Sequence, residues 1–155
     1  FVVRQLKMAT QKRFIIKEIG LTSLRDCLGY RLVAKSLERI ADHAARIAQT
    51  IPTMEYRSIP DDIIAPITSM STLSAETCQN AMKALYQLSI KKANQAIAKI
   101  AQLTELEEKV IKLILETKLH ITTVVGLRLT LESIRRAAEY GADIAETAIN
   151  LAKKL

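Results

Sequence analysis

The sequence is poor in turn-forming and aromatic residues. Its 155 residues include four Gly, three Pro, two Phe and no Trp. A β-sandwich or a β-barrel needs many more turn-forming residues, so this composition favours an all-α fold. The length is that of one domain with a sizeable hydrophobic core.

Long apolar runs and a cysteine framework are also missing. No run approaches the ~20 apolar residues of a membrane-spanning helix, and no charged-then-apolar signal segment opens the chain. Cys27 and Cys78 are too few for a disulfide scaffold and lack the spacing of a metal site, so we expect two free thiols. These absences predict a cytoplasmic protein that does not insert into a membrane.

Positive charge is in excess and unevenly placed. The chain has 23 Lys and Arg against 16 Asp and Glu, a net charge of +7. Residues 1–60 carry eleven basic and five acidic residues, whereas residues 61–155 carry twelve and eleven. An anionic partner would therefore face the first third of the chain. Because neither interleaved aromatic residues nor a DNA-reading motif accompanies this charge, a solvated basic face is the simpler interpretation.

Proline marks the main division of the chain. Pro52, Pro60 and Pro66 fall within one window of fifteen residues, and proline interrupts helices. We therefore predict a first helical repeat at residues 1–51, a linker at 52–60 and a second, three-helix repeat at 61–155. Because the chain begins in helical periodicity without a capping residue, we expect it to start inside a helix and the first repeat to be incomplete at its N-terminal side.

Helical periodicity predicts about five helices. The first ends at Gly20, and the second opens at Ser23, which with Asp26 resembles a capping box, and runs to about Ile51. The third follows one apolar face over residues 67–100, the fourth runs from Thr104 to about Lys118, and a long helix fills the rest of the chain. The stripe predicted to face inward on the second helix is Val33, Leu37, Ile40, Ala44, Ile47 and Ile51, and on the last helix it is Val124, Leu127, Leu131, Ile134, Ala138, Ala142, Ala145 and Ile149.

An internal repeat connects the two halves. Residues 24–50 and 121–147 align at a fixed offset of 97 with ten identities, among them Gly29/Gly126, Leu32/Leu129 and Thr50/Thr147. Unrelated segments of this length would share about two. The alignment predicts two duplicated helices, and its shared small residues suit close helix packing.

Each copy contains a Glu followed four residues later by an Asp, namely Glu38/Asp42 and Glu139/Asp143. This spacing puts both carboxylates on one helical face, and hard cations prefer such oxygen ligands. The simpler alternative is a set of surface ion pairs with basic neighbours. The alignment matches Glu38 to Arg135, so the two acidic pairs are not copies of one ligand set. The pairs expected from spacing are Lys35 with Glu38, Arg46 with Asp42, Arg135 with Glu139 and Arg136 with Glu132.

Enzyme templates are not met. A di-iron carboxylate bundle needs Glu-x-x-His on two helices, and neither His43 nor His120 has a Glu three residues before it. The sequence has no Gly-rich phosphate loop, nucleophile elbow or Cys-x-x-Cys. We therefore predict a protein that is not an enzyme.

The segment Arg31–Ala48, with its run Leu-Glu-Arg-Ile-Ala-Asp-His, resembles the signature helix of the PhoU family. The second copy, Ser133–Glu146, resembles the weaker second signature, especially its archaeal-type form. The resemblance implies tandem antiparallel bundles of up to three helices each in a cytoplasmic, often homodimeric protein that restrains phosphate uptake. The implied partners are the ATPase of the phosphate ABC transporter and a phosphate-sensing histidine kinase.

The resemblance also implies metal binding. Metal sites in the family pair this Glu-x-x-x-Asp with a similar acidic motif on other helices of the bundle. We expect a divalent or iron cation at Glu38 and Asp42. At Glu139 and Asp143 we expect a weak or lost site, because Val110 or Ile111 stands where a second carboxylate would be.

Some archaeal relatives carry an upstream DNA-binding domain. With such a domain, this chain would be the sensing half of a transcription regulator. It would then contact nucleic acid only through that domain. The first bundle is one helix short, to be supplied by a preceding segment or by a second chain. The main alternative is a basic helical scaffold that binds nucleic acid or another partner unrelated to phosphate. A metal-dependent hydrolase or redox protein is a third class.

Overall fold

The structure, a computed structural model, describes residues 2–11, 13–18, 21 and 23–153. Over these residues it is all-helical and contains no strand, which confirms the predicted fold class. The α-helices are α1 (Val2–Gln11), α2 (Arg13–Glu18), α3 (Leu24–Thr50), α4 (Asp61–Gln87), α5 (Ile90–Glu116) and α6 (Ile121–Ala152). With α1 and α2 taken as parts of the predicted first helix, the expected number of about five is confirmed. The predicted end of that helix at Gly20 lies outside the described residues.

The start of α3 and the break after it follow the sequence signals. The Asp26 carboxylate accepts a hydrogen bond from the backbone N–H of Ser23 at 2.9 Å, as a capping box requires. After α3, two short 3₁₀ turns at Ile51–Thr53 and Tyr56–Ser58 lead to Pro60, the N-cap of α4. Pro66 lies inside α4, in its second turn, so α4 begins earlier than the apolar periodicity suggested.

The predicted continuous helix over residues 67–100 is wrong. The chain reverses between α4 and α5 at Leu88, whose φ of 48° lies in the left-handed region. The Ser89 side chain then caps α5 by accepting a hydrogen bond from the Lys92 backbone N–H at 3.4 Å. A predicted helix start at Thr104 is wrong for the same reason, because Thr104 lies in the middle of α5. The end of α5 falls within two residues of the predicted one.

Helices α4, α5 and α6 pack against one another as a three-helix bundle, and α3 packs along another side of α6. Helix α1 contacts α3. The core divides into two large clusters. One contains Val33 of α3 together with residues of α4, α5 and α6, and the other joins Met54 to the same three helices. Helix α6, which touches α3, α4 and α5, is therefore the centre of the fold.

The duplicated helices α3 and α6 lie side by side and antiparallel, related as if by a two-fold axis. A Cβ atom built on Gly29 would lie 3.3 Å from Thr147 Cγ2 and 3.5 Å from Leu151 Cδ2. A Cβ atom built on Gly126 would meet Met54 and, at 3.5 Å, Thr50 Cγ2. The offset of 97 relates Gly29 to Gly126, Thr50 to Thr147 and Met54 to Leu151. The contacts of Gly29 with Thr147 and Leu151 are therefore equivalent to the contacts of Gly126 with Thr50 and Met54. The duplication predicted from the sequence therefore extends to the packing.

The face of α3 that meets α6 differs in part from the predicted stripe. On this face, the buried and half-buried positions form a seam with alternating spacings of four and three, typical of coiled-coil packing: Gly29, Val33, Ser36, Ile40, His43, Ile47 and Thr50. Three members of the predicted stripe, Leu37, Ala44 and Ile51, are exposed. Helix α3 thus has two apolar sides. The predicted stripe combined residues of the side that packs against α6 with residues of the exposed side. All eight residues predicted to face inward on α6 are buried or half-buried.

Candidate functional site

The first predicted acidic pair lies in the open on α3. The side chains of Glu38 and Asp42 are 61% and 57% exposed. Lys35 Nζ lies 3.1 Å from Glu38 Oε2, the pairing expected from spacing. Asp42 Oδ2 pairs with Arg39 Nη1 at 3.4 Å rather than with Arg46. Exposed pairs of this kind contribute little to stability, so both carboxylates remain accessible to a partner.

The second predicted pair has a different environment on α6. Glu139 forms ion pairs with Arg135, as expected, and with Arg136, which pairs here rather than with Glu132. Asp143 is exposed, yet partial desolvation raises the pKa of its carboxyl group, and the opposing influence of Arg136 is smaller. Glu139 is thus occupied by two guanidinium groups.

A carboxylate from α5 faces this pair, although the sequence comparison placed an aliphatic residue there. Glu107 is only 8% exposed, and it accepts a hydrogen bond from Arg128 Nη1 at 2.7 Å. Its other oxygen lies 3.0 Å from Arg135 Nε. Arg135 therefore bridges Glu107 of α5 and Glu139 of α6, and its guanidinium supplies the positive charge that a cation would bring between them.

The donor set of the described residues does not fit a metal ion. Calcium takes six to eight oxygen ligands, roughly, and magnesium needs near-octahedral geometry. Within the residues that the structure describes, no three His, Cys, Asp or Glu side chains are grouped closely enough to hold an ion. The acidic pair of α3 offers two carboxylates, and that of α6 is paired with arginines. Metal binding at Glu38, Asp42, Glu139 and Asp143 stays a prediction that needs further ligands.

The centre of the α3–α6 seam holds His43 and Tyr140, which are equivalent under the offset of 97. Their ring centroids lie 5.9 Å apart, and the Arg136 guanidinium lies over the Tyr140 ring at 4.9 Å and donates a hydrogen bond to its hydroxyl at 2.9 Å. Desolvation, followed by the positive charges of Arg46 and Arg136, lowers the pKa of His43. The folded structure therefore favours the neutral form of His43.

One side of the α3–α6 pair, away from α4 and α5, is uncovered within the described residues, and we call it the open face. At 100° per residue its side chains share one arc of each helix. They are Leu28, Leu32, Lys35, Arg39, Asp42 and Arg46 on α3 and Val125, Leu129, Glu132, Arg136, Glu139 and Asp143 on α6. Basic residues predominate on the α3 side of the open face, and acidic residues predominate on the α6 side.

Each end of the open face carries a groove lined in part by exposed leucine side chains. The groove beside Leu28 and Leu32 has a volume of about 480 Å³, and the groove beside Val125 and Leu129 has a volume of about 280 Å³. Leu28 and Leu32 are 58% and 61% exposed, and Val125 is 51% exposed. Since 28 and 32 correspond to 125 and 129, both copies of the repeat keep exposed apolar side chains at the same places.

The sequence interpretation missed these grooves, although it contained a signal for them. Leu32 and Leu129 are identical in the repeat alignment, and both lie on the arc that otherwise carries charged residues. They were taken only as identities of the repeat alignment. An apolar residue kept on the polar arc of both copies is instead typical of an interaction surface.

Comparison with known proteins agrees with the architecture. Among the described residues, no helix is long and apolar enough to cross a membrane. No curated protein and no solved structure matches the chain. The family model described as the PhoU domain matches residues 2–51 and 67–148, and each matched stretch contains one of the duplicated segments, 24–50 and 121–147. Because these stretches cover well over half of the sequence, the chain belongs to the PhoU family.

Proposed function

We propose that this chain regulates phosphate uptake by binding a component of the phosphate transport or sensing machinery through its open face. The match to the PhoU family model is the observation that carries the proposal, because it indicates a part in phosphate regulation and a family that is regulatory rather than enzymatic. The candidate partners are the ATPase of the phosphate ABC transporter and a phosphate-sensing histidine kinase.

The charge arrangement of the open face supports binding to a protein. Lys35, Arg39 and Arg46 project from α3, whereas α6 presents Glu132 and Asp143. Such a two-sided pattern orients a partner and accelerates its encounter, and the exposed apolar side chains at both ends of the face offer anchoring contacts. A surface that carries both charge signs suits a folded protein better than the uniformly negative backbone of nucleic acid.

A binding measurement with charge-reversal variants tests the proposal. The chain is titrated against the purified transporter ATPase and, separately, against the kinase. We expect saturable binding to one of them and a loss of about tenfold or more in affinity when Lys35→Glu is combined with Arg39→Glu. The matched control combines Lys109→Glu with Lys112→Glu on the exposed side of α5 and should bind as the wild type does.

Two outcomes would overturn the proposal. One is the absence of binding to both candidates. The other is an equal loss of affinity in the control variant, since the open face would then have no special part. Binding of the isolated chain to DNA that weakens steeply with salt would favour the alternative of a basic scaffold. A role as the sensing half of a transcription regulator, and the formation of a homodimer, are further proposals that follow from family membership alone.

A further inference from the structure

One end of the three-helix bundle carries positive charge without negative charge. The sequence between Glu76 and Glu105 contains no acidic residue, and its basic residues are Lys83, Lys91, Lys92 and Lys99. This stretch covers the end of α4, the turn after it and the first half of α5. Lys99 forms an ion pair with Glu76, whereas the other three lysines are exposed around the turn. We call residues 83–92 the basic tip.

The basic tip also exposes apolar side chains. Tyr86, in the last turn of α4, is 79% exposed, the largest fraction among the large hydrophobic residues that the structure describes. Ile90, the first residue of α5, is 40% exposed. Leu88, between them, instead packs against the core. The basic tip thus combines lysines with an exposed aromatic and an exposed aliphatic side chain on one convex turn.

Helix stability does not explain the two lysines at the start of α5. Because Ser89 is the N-cap, Lys91 and Lys92 are the second and third residues of the helix. The N-terminus of a helix carries partial positive charge, which favours acidic rather than basic side chains there. Lys92 Nζ donates a hydrogen bond to Gln87 Oε1 at 2.6 Å, and no described carboxylate forms an ion pair with a lysine of the basic tip. Their charge is therefore available to an anionic partner.

We propose that the basic tip docks the chain on the surface of an anionic lipid bilayer, with Tyr86 and Ile90 at the level of the headgroups. Clustered lysines bind anionic phospholipids, and tyrosine is enriched at the membrane–water interface. Lysine stems lie along apolar surfaces while their ammonium groups reach outward to polar groups. Such a contact is peripheral and needs no membrane-spanning helix. This inference does not depend on the proposed binding through the open face.

The size and shape of the basic tip favour a bilayer over other anionic partners. A standard protein interface takes about 20–30 residues from each partner, and the basic tip has ten. Nucleic-acid binding neutralises a row of phosphates along an extended basic surface, whereas three lysines lie here on one short turn. A bilayer sets no such minimum, because each lysine near an anionic surface contributes separately.

The distribution of charge along the bundle agrees with this orientation. Leu151, near the end of α6, belongs to the same core cluster as Leu85 of α4, so the exposed Lys153 lies at the same end of the bundle as the basic tip. At the opposite end both signs are present, with Glu55, Asp61, Asp62 and Glu116 against Arg57 and Lys118. An anionic surface would therefore attract the bundle by the end that carries the basic tip.

Sedimentation with lipid vesicles tests the proposal. The full chain is mixed with vesicles of phosphatidylcholine alone or of equal parts phosphatidylcholine and phosphatidylglycerol. We expect binding to the anionic vesicles only, and weaker binding as salt is added. Lys91→Gln combined with Lys92→Gln should weaken binding about tenfold or more. The matched control, Lys109→Gln with Lys112→Gln at exposed positions in the second half of α5, has the same net charge and should bind as the wild type does.

A fluorescence measurement locates the contact. Because the sequence contains no Trp, one introduced Trp is a unique reporter. The emission of Tyr86→Trp should shift to shorter wavelength on anionic vesicles, as the indole ring enters the interface. Tyr56→Trp is the matched control, since Tyr56 is 56% exposed and precedes α4 at the other end of the bundle. Its emission should not change.

Three results would overturn the proposal. The first is a wild-type chain that does not bind anionic vesicles. The second is an equal loss of affinity in the two double variants, because net charge rather than the basic tip would then determine binding. The third is vesicle binding that leaves the emission of Tyr86→Trp unchanged. Binding of an oligonucleotide or an acidic peptide through Lys91 and Lys92, without vesicle binding, would assign the basic tip to a macromolecule and equally refute docking on lipid.

Discussion

Replacement of Gly141 by Ala tests how closely α4 and α6 pack. On helix propensity alone this change should stabilise the protein by up to ~1 kcal/mol, because Gly141 lies inside α6. The new Cβ atom, however, would lie 3.2 Å from both Cα and N of Cys78, backbone atoms that cannot rotate away. Ordinary carbon contacts are about 3.5–4.0 Å, so α4 would have to move outward by roughly half an ångström.

That movement has a cost which can be worked out. Overpacking of a close-packed site typically destabilises a protein by about 1–3 kcal/mol. Helix α4 is also tied to α6 by the hydrogen bonds of Ser74 and Cys78 to α6 carbonyls, and stretching each of them loses part of about 1 kcal/mol. After subtraction of the gain in propensity, we expect Gly141→Ala to lower the free energy of unfolding by about 1–2 kcal/mol.

Urea unfolding followed by far-ultraviolet circular dichroism measures the difference, with the m-value expected to stay constant. Gly29→Ala is the matched control. Its Cβ atom would lie 3.3 Å from a methyl group of Thr147, a side chain that can shift, so this variant should be as stable as the wild type or up to ~1 kcal/mol more stable. The reasoning is refuted if Gly141→Ala is as stable as Gly29→Ala.

Three further changes test other contacts. Glu107→Gln should lower the free energy of unfolding by about 1–3 kcal/mol, because Arg128 loses its charged partner and Arg135 is left with the ion pair to Glu139; urea titration measures this. Asp143→Asn should raise the melting temperature slightly at about pH 7, because the raised pKa of Asp143 means that the folded state disfavours its charged form. The gain should vanish by about pH 3, because the wild-type carboxyl group is then protonated in both the folded and the unfolded state. Ser89→Ala should cost about 0.5–1 kcal/mol in urea unfolding by removing the cap of α5.

The repeat was the most informative part of the sequence because its identities fall where the two helices touch. Gly29, Gly126 and the threonines Thr50 and Thr147 are identical in the alignment, and they form the two exchanged contacts at the ends of the α3–α6 seam. Positions that must fit one another in both copies change least, and so the alignment predicted a real packing arrangement without any other information.

The turn between α4 and α5 could not be predicted because it lacks the usual signals. Left-handed backbone conformation normally selects Gly or Asn, and here Leu88 adopts it without either. The hydrophobic contact of Leu88 with the core favours this conformation. With no Gly or Pro between residues 67 and 100, apolar periodicity continued across the reversal and two helices appeared as one.

The sequence predicted the residues of the candidate site but not the side chains that surround them. Helical spacing indicates which residues are neighbours on one helix, and it does not indicate contacts between two helices. Glu38 with Lys35 and Glu139 with Arg135 were both expected, and both pairs are present. The contribution of Glu107 was missed because it comes from α5, and predicted helix boundaries in that region were displaced. Packing between helices, rather than spacing within one, decides which charges are buried.

The same comparison explains why the two duplicated helices differ in their charges. Arg135 of α6 is fixed by Glu107 of the adjoining helix, so the ionic residues there stabilise the bundle. The equivalent residue of α3 is Glu38. Glu38 is exposed, and its ion-pair partner among the described residues is Lys35, on the same helix. Arg135 and Glu139 of α6 are therefore structural, whereas the exposed charged residues of α3 can be changed at little cost to stability and are available for recognition of a partner.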